Sequence, residues 1–94
     1  MKMDPPPHPG QTIKEGLKEF NMTQSDLSRI IGTTRQYISL IITKRKRVSI
    51  KIALGVEQAF GIKAELLLKQ QIDYDLARAR LKQVKKEAIH EQRD

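Results

Sequence analysis

The sequence predicts an all-α fold of five helices, the last of which extends beyond a compact body. Apolar residues recur at intervals of three and four along most of the chain, which is the periodicity of amphipathic helices. Ser or Thr precedes several of these segments and Gly follows two of them, as at helix starts and ends. From Ala64 onward the chain contains no Gly or Pro and consists mostly of strong helix formers.

The composition restricts the classes of protein to which the chain can belong. Its 94 residues are 38% apolar and 31% charged, which suits one small helical domain with a modest core. The absence of cysteine excludes disulfides and thiolate zinc sites. No apolar run approaches the roughly 20 residues of a membrane span, and no signal-peptide core is present. We therefore expect a soluble cytoplasmic protein with no membrane partner.

Residues 1–8 form a proline-rich arm that we expect to be flexible, because consecutive prolines lock φ and remove hydrogen-bond donors. Residues 9–79 are predicted to form the folded domain, and residues 80–94 a charged helical tail. Pro9 suits the first turn of a helix over about 10–20, with Ile13, Leu17 and Phe20 on one face. Gly16 is interpreted as a weakness of that helix, costing about 1 kcal/mol relative to Ala.

Residues 23–42 have the layout of two short helices joined by a tight turn. Thr23 and Asp26 form a predicted capping box for a helix over 24–31, and Gly32 suits the turn that ends it. Thr34 can cap the next helix, whose isoleucines would face inward. Its predicted outward residues are Arg35, Gln36, Ser39 and Thr43. A guanidinium and a carboxamide at the start of such a helix are placed as in a recognition helix that meets base edges.

The positive charge of the chain is concentrated immediately after this pair of helices. Residues 35–51 contain six Lys or Arg and no Asp or Glu, so they account for +6 of the total charge of +7. A basic block in this position is typical of the phosphate-binding surface of a DNA-binding protein. The alternative for an isolated Lys/Arg run is a solvated loop without function. Beside a helix pair of this kind, we favour contact with nucleic acid.

Two further helices complete the prediction. Ser49 can cap a helix over about 50–60 that Gly61 ends. The fifth helix has a heptad spacing formed by Leu67, Gln70, Tyr74, Ala77, Leu81, Val84 and Ala88. We expect homodimerisation through Leu67, Tyr74, Ala77, Leu81 and Val84. The alternative is a helix that docks on its own core to about residue 78 and then frays.

Residues for catalysis or metal binding are sparse. The two histidines, His8 and His90, lie near opposite ends of the chain and are interpreted as solvated or capping residues. Asp73 and Asp75 lie among lysines and arginines of the fifth helix, a pattern better explained by surface ion pairs. We therefore predict that the chain is not an enzyme and that it has no cofactor, metal site or small-molecule substrate.

The chain resembles the HigA-type antitoxins, a branch of the phage-repressor-like (XRE/Cro) helix-turn-helix proteins. The similarity spans about residues 8–80 and rests on a set of short motifs taken together. These are His8-Pro9-Gly10, Thr23-Gln24, Arg35-Gln36 with Ile38, Arg45-Lys46, Ala53, Ala59-Phe60-Gly61, and Gln71 with residues 74–79 (YDLARA).

The resemblance implies a homodimeric repressor that binds a palindromic operator in its own promoter and neutralises an adjacent HigB/RelE-like ribonuclease toxin. It also implies roles for individual residues. Base-reading residues would be Thr34, Arg35, Gln36, Ser39 and Leu40. Phosphate-binding residues would be Gln24, Thr33, Thr43, Lys44, Arg45, Lys46 and Arg47. The donors of Arg35 suit guanine and the carboxamide of Gln36 suits adenine.

This chain departs from the family pattern at several positions, and two other functions stay open. Leu40 replaces a polar residue and could meet a thymine methyl group or a partner surface, Lys44 replaces a loop glycine, and Leu67 replaces a tryptophan. The chain could instead be a stand-alone phage-type repressor without a toxin, or a protein- or RNA-interaction module built on the same helices. The surface that contacts a toxin is expected to differ from the third helix.

Overall fold

The computed structural model describes residues 6–91, with side chains described as far as Val84. Every regular element in this range is a helix, in agreement with the predicted all-α class. The helices are α1 (Pro9–Glu19), α2 (Gln24–Ile31), α3 (Arg35–Ile42), α4 (Ile50–Phe60) and α5 (Ala64–Glu91). No helix among the described residues is long and apolar enough to cross a membrane.

Local side-chain hydrogen bonds define where the helices begin. At α2, Thr23 Oγ1 accepts from the Asp26 N–H at 3.0 Å, and Asp26 Oδ2 accepts from the Thr23 N–H at 3.1 Å. The predicted capping box is therefore present. The bond from the Thr23 backbone N–H also holds the pKa of Asp26 below its ordinary value. Thr34 and Ser49 cap α3 and α4, as predicted, each with a single bond in which the hydroxyl oxygen accepts from the backbone N–H three residues on.

The N-terminus of α1 is capped by His8, whose Nδ1 accepts the Gly10 N–H at 2.9 Å. Helix α1 consequently begins at Pro9, one residue before the predicted start. His8 is 3% exposed, so this part of the predicted arm is packed against the body of the protein. Residues 1–5 of that arm lie outside the described residues.

One cluster of buried side chains joins all five helices. Its members are Ile13, Leu17, Leu27, Ile31, Ile38, Ile41, Val48, Ile52, Ala53, Val56, Phe60, Ala64 and Leu67. Two glycines allow the helices to approach closely. A Cβ on Gly10 would lie 2.1 Å from the Ile41 carbonyl oxygen, and one on Gly16 would lie 2.7 Å from the Phe60 ring. Gly16 therefore provides room for Phe60, a role that the sequence prediction missed.

Helix α5 begins against the body and then leaves it. Leu67 is completely buried and Gln71 is 2% exposed, whereas Leu81 is 57% and Val84 is 61% exposed. The predicted dimerisation role of Leu67 is wrong, because this side chain is enclosed in the core of its own chain. The alternative of a helix docked to about residue 78 agrees with these exposures, although the helix continues to Glu91 instead of fraying.

Candidate nucleic-acid interface

The outer face of α3 carries the residues predicted to read bases. Ile38 and Ile41 point into the core with no exposed surface, and this fixes the rotation of the helix. Arg35 and Gln36 are consequently exposed in its first turn, beside the capping residue Thr34. Ser39 and Leu40 are partly exposed further along the helix. The face therefore presents hydrogen-bond donors and acceptors of a kind that can meet base edges.

The basic loop, residues 44–47, is folded back onto the last turn of α3. The Arg45 and Lys46 N–H groups both donate to the Leu40 carbonyl oxygen, at 2.8 and 3.2 Å. Thr43 Oγ1 donates to the Ser39 carbonyl oxygen at 2.9 Å. These bonds hold the cationic residues beside the C-terminal end of α3, where the sequence prediction expected them.

Lys44 has a left-handed backbone conformation, with a φ of 66°. This conformation favours glycine, because a Cβ is crowded there. The loop nevertheless closes, with the Lys44 N–H donating to the Ile41 carbonyl oxygen at 3.0 Å. The lysine thus supplies a cation at a position where the backbone would accommodate glycine with less strain.

The cationic side chains of the basic loop have different neighbours. Lys46 Nζ lies 4.7 Å from the centre of the Tyr37 ring, on α3 itself. Arg47 Nε donates to Asp75 Oδ2 of α5 at 2.7 Å. Lys44 and Arg45 are exposed and form no salt bridge with any residue in the described part of the chain. The loop therefore combines two anchored cations with two exposed cations that have no carboxylate partner in the described part of the chain.

Asp75 and Gln71 were not predicted to belong to this site. The sequence prediction placed Asp75 among surface ion pairs of α5, and Asp73 does pair with Lys69 at 3.1 Å. Asp75 instead binds the basic loop, 28 residues earlier in the chain. Gln71 Oε1 accepts the Val48 N–H at 2.7 Å, at the end of that loop. The local pattern of α5 contains no signal for either contact.

A groove between α1 and the end of α3 carries further cations together with one carboxylate, that of Glu15. Lys14 and Lys18 line it together with Ile42 and Lys44, and it continues to Gln24 at the start of α2. Gln24 and Thr33 are partly exposed, and Thr43 is exposed. The predicted phosphate-binding residues thus lie on accessible surface around α3. Lys14 and Lys18 are additional cations that the sequence prediction did not include.

The His8 side chain connects α1 to α5. Its ring meets the Tyr74 ring edge-on, with 4.7 Å between the centroids. Burial lowers the pKa of His8 below its ordinary value of 6.5, and the nearby cations Lys44 and Arg78 lower it further, while Asp75 opposes them. Tyr74, predicted to lie in a dimer interface, is therefore at least partly occupied by contacts within its own chain.

No cluster of His, Cys, Asp or Glu suitable for a metal ion is present among the described residues. The site is instead an exposed helix face bordered by cations and supported by a buried core. Such an arrangement can position a protein on a polyanion and present side chains to its bases. The fold and this surface together define a helix-turn-helix protein.

Comparison with known proteins identifies the family. The helix-turn-helix family model HTH_3 matches residues 13–67, and the chain belongs to this family. Virulence-associated protein A' of Dichelobacter nodosus is 32% identical over 77 residues, covering 81% of this chain and 67% of that protein.

Two solved structures share the fold over most of their length. The Pseudomonas aeruginosa antitoxin HigA, solved with the higBA promoter, has a TM-score of 0.78 and 26% identity, over 86% of this chain and 89% of that chain. An addiction module antidote protein of the HigA family from Coxiella burnetii has a TM-score of 0.79 and 26% identity, over 88% and 91%. The resemblance to HigA-type antitoxins, predicted from the short motifs, is confirmed.

Proposed function

We propose that this protein is a sequence-specific DNA-binding antitoxin of a type II toxin–antitoxin system. It represses its own operon in the cytoplasm and neutralises a HigB/RelE-like mRNA-cleaving toxin. The observation that carries the DNA-binding part is the exposed face of α3, where Arg35 and Gln36 stand beside a loop of four cations. The fold shared with an antitoxin solved with its promoter supports the same function.

In this proposal α3 enters the major groove. Arg35 donates to guanine and Gln36 binds adenine, while Thr34 and Ser39 make further base contacts. Leu40, partly exposed on the same helix, contacts a thymine methyl group. A good bidentate contact contributes about 1 to 3 kcal/mol of discrimination between bases. Arg35 and Gln36 therefore determine most of the sequence preference.

The surrounding polar and basic residues bind phosphates. Gln24 and Thr33 donate from α2 and the turn that follows it. The Thr43 hydroxyl donates to a phosphate from the end of α3 by exchanging its bond to the Ser39 carbonyl oxygen for one to the DNA backbone. The loop cations are Lys44, Arg45, Lys46 and Arg47. Each phosphate contact releases counterions, so affinity should fall as salt rises, with a slope of about −0.9 per phosphate neutralised on B-form DNA.

A titration of DNA binding distinguishes these roles. The probe is a duplex covering the promoter of the protein's own gene, compared with a shuffled duplex, over a range of salt concentrations. Arg35→Ala should reduce the preference for one base pair by about tenfold or more. Lys46→Ala should weaken both duplexes alike and reduce the salt slope by about one unit. Lys63→Ala, an exposed cation outside this surface, is the charge-matched control.

In this proposal the protein forms a homodimer, which places two recognition helices about one DNA turn apart. The contact is assigned to the part of α5 that leaves the body. There Ala77, Leu81 and Val84 of the predicted interface are partly or fully exposed, and Tyr74 lies at its margin. Two such helices packed together would cover apolar surface that one chain leaves in contact with water.

The antitoxin part requires a second measurement. Co-expression with a toxin encoded in the adjacent gene should restore growth, and the two proteins should co-purify. The toxin contact is assigned to a surface other than α3, so Arg35→Ala should still neutralise the toxin. DNA binding without neutralisation of any adjacent toxin would instead indicate a stand-alone repressor. Absence of salt-dependent DNA binding would favour an interaction module and contradict the proposal.

A further inference from the structure

The basic loop is attached to α5 by a chain of three side-chain hydrogen bonds. Val48, the residue that follows the loop, donates its N–H to Gln71 Oε1 at 2.7 Å. Gln71 Nε2 donates to Asp75 Oδ1 at 3.0 Å. Asp75 Oδ2 accepts from Arg47 Nε at 2.7 Å. This series of hydrogen bonds therefore begins at Val48 and ends at the adjacent residue Arg47. The two side chains between them, Gln71 and Asp75, belong to α5.

The buried carboxamide of Gln71 can form both of its hydrogen bonds in one orientation only. Gln71 is 2% exposed, and its oxygen and nitrogen are both used, the oxygen by a backbone donor and the nitrogen by a carboxylate. The reverse orientation would place an N–H₂ group against the Val48 N–H and an oxygen against Asp75. A single orientation is consequently favoured, and it fixes Asp75 relative to the loop backbone.

Asp75 in turn fixes the guanidinium of Arg47 while leaving most of it accessible. The contact uses Nε, and the Arg47 side chain is 70% exposed. The two terminal amino groups of a guanidinium held in this way carry four further N–H donors. A cation that is already oriented loses less conformational entropy when a phosphate binds it. The carboxylate therefore supports the cation more than it competes for it.

We infer that Gln71 and Asp75 are positioning residues of the phosphate-binding loop, through which α5 sets the loop conformation and aims Arg47 at the DNA backbone. The inference rests on the proposed DNA-binding function for its effect on affinity. Its structural part, the attachment of the loop to α5, does not depend on DNA. The residues that read bases are not involved, so specific and non-specific DNA binding should change together.

The test compares Asp75→Ala with Asp73→Ala in the full-length chain. Both substitutions remove one negative charge and one salt bridge from α5, but Asp73 pairs with Lys69 and does not touch the loop. The change in net charge is therefore the same in the two variants, and the loss of the Asp75 charge beside the loop would by itself strengthen phosphate binding, not weaken it. Relative to Asp73→Ala, Asp75→Ala should weaken binding to promoter and shuffled duplexes by about threefold to tenfold and reduce the salt slope.

A double substitution tests the coupling between the two residues. Arg47→Ala should cause a similar loss, and adding Asp75→Ala to it should cause little further loss, because the two changes remove one contact. Binding by Asp75→Ala that equals or exceeds that of Asp73→Ala would overturn the inference. It would mean that Asp75 is neutral or competes with phosphate for Arg47.

Hydrogen exchange provides a readout that does not require DNA. In Asp75→Ala the Val48 amide should exchange about threefold to tenfold faster than in Asp73→Ala, because local opening is easier there, while exchange of the Val56 amide in the core should be unchanged. Equal Val48 exchange in the two variants would overturn the attachment even if DNA binding were intact. Failure of the unmodified protein to bind DNA would refute the proposed function and the effect on affinity, whereas faster Val48 exchange would still support the attachment.

Discussion

The two ends of α5 share one helix but have opposite environments. Around Leu67 and Gln71 the helix is buried against α4 and α1, whereas at Leu81 and Val84 the apolar side chains are exposed. Burial and not residue type therefore decides what each leucine contributes. The buried half supports the fold and the basic loop, and the exposed half is available to another molecule. The predictions below test this division.

The largest expected effect comes from truncating one leucine in each half. Leu67→Ala should lower the free energy of unfolding by about 2 to 5 kcal/mol, because it leaves a cavity in a closed core. Leu81→Ala removes the same atoms from an exposed site and should change monomer stability by less than about 0.5 kcal/mol. Denaturant unfolding at a low protein concentration measures both. Similar losses for the two variants would contradict the division.

The exposed half is tested by replacing two of its apolar residues. Leu81→Lys combined with Val84→Lys should weaken dimerisation by about tenfold or more, about 1.4 kcal/mol, because like charges would face each other across the proposed interface. Sedimentation at several concentrations measures the dissociation constant. The control exchanges the two residues between them, as Lys82→Gln with Gln83→Lys. It keeps the net charge and leaves Leu81 and Val84 in place. An unchanged mass distribution would place the dimer contact elsewhere.

A substitution in the basic loop should have a smaller effect, and it should increase stability instead of lowering it. Lys44→Gly should raise the free energy of unfolding by up to about 1 kcal/mol, because it relieves a left-handed backbone at a cost in unfolded-state entropy. It should also reduce the salt slope of DNA binding by about one unit. Lys44→Ala is the control, because it removes the same charge but keeps a Cβ on the left-handed backbone. If Lys44→Ala stabilised the protein equally, strain would not be the cause.

The smallest expected effect is a pH dependence at the contact between α1 and the buried half of α5. Since the pKa of His8 is lowered in the folded state, the unfolded chain binds a proton first as the pH falls below about 6.5. The stability from neutral His8 is therefore complete above this pH and decreases below it, until the lower folded pKa is reached. Thermal unfolding between pH 7.5 and 5 measures the loss. His8→Asn, which can retain a cap without titrating, should lose this component of the pH dependence.

Most of the helical framework could be predicted from local sequence. Capping residues such as Thr23 and Ser49 and the glycines at helix ends act on backbone groups within a few residues, so the pattern of the chain contains their effect. The predicted bounds of α2 and α4 agree with the structure for this reason. The outward position of Arg35 and Gln36 follows from the isoleucine spacing of α3, although their contact with bases stays a prediction.

The sequence by itself determined the class of fold, the helix starts and the place where positive charge accumulates. Only the tertiary structure decided that Leu67 is enclosed in its own core, that Gly10 lies against the Ile41 carbonyl and that Asp75 binds Arg47. Helical periodicity shows that α5 has an apolar face but not which neighbour covers it or where it leaves the body. Those contacts depend on how distant helices cross, and side chains of the whole core determine that geometry together.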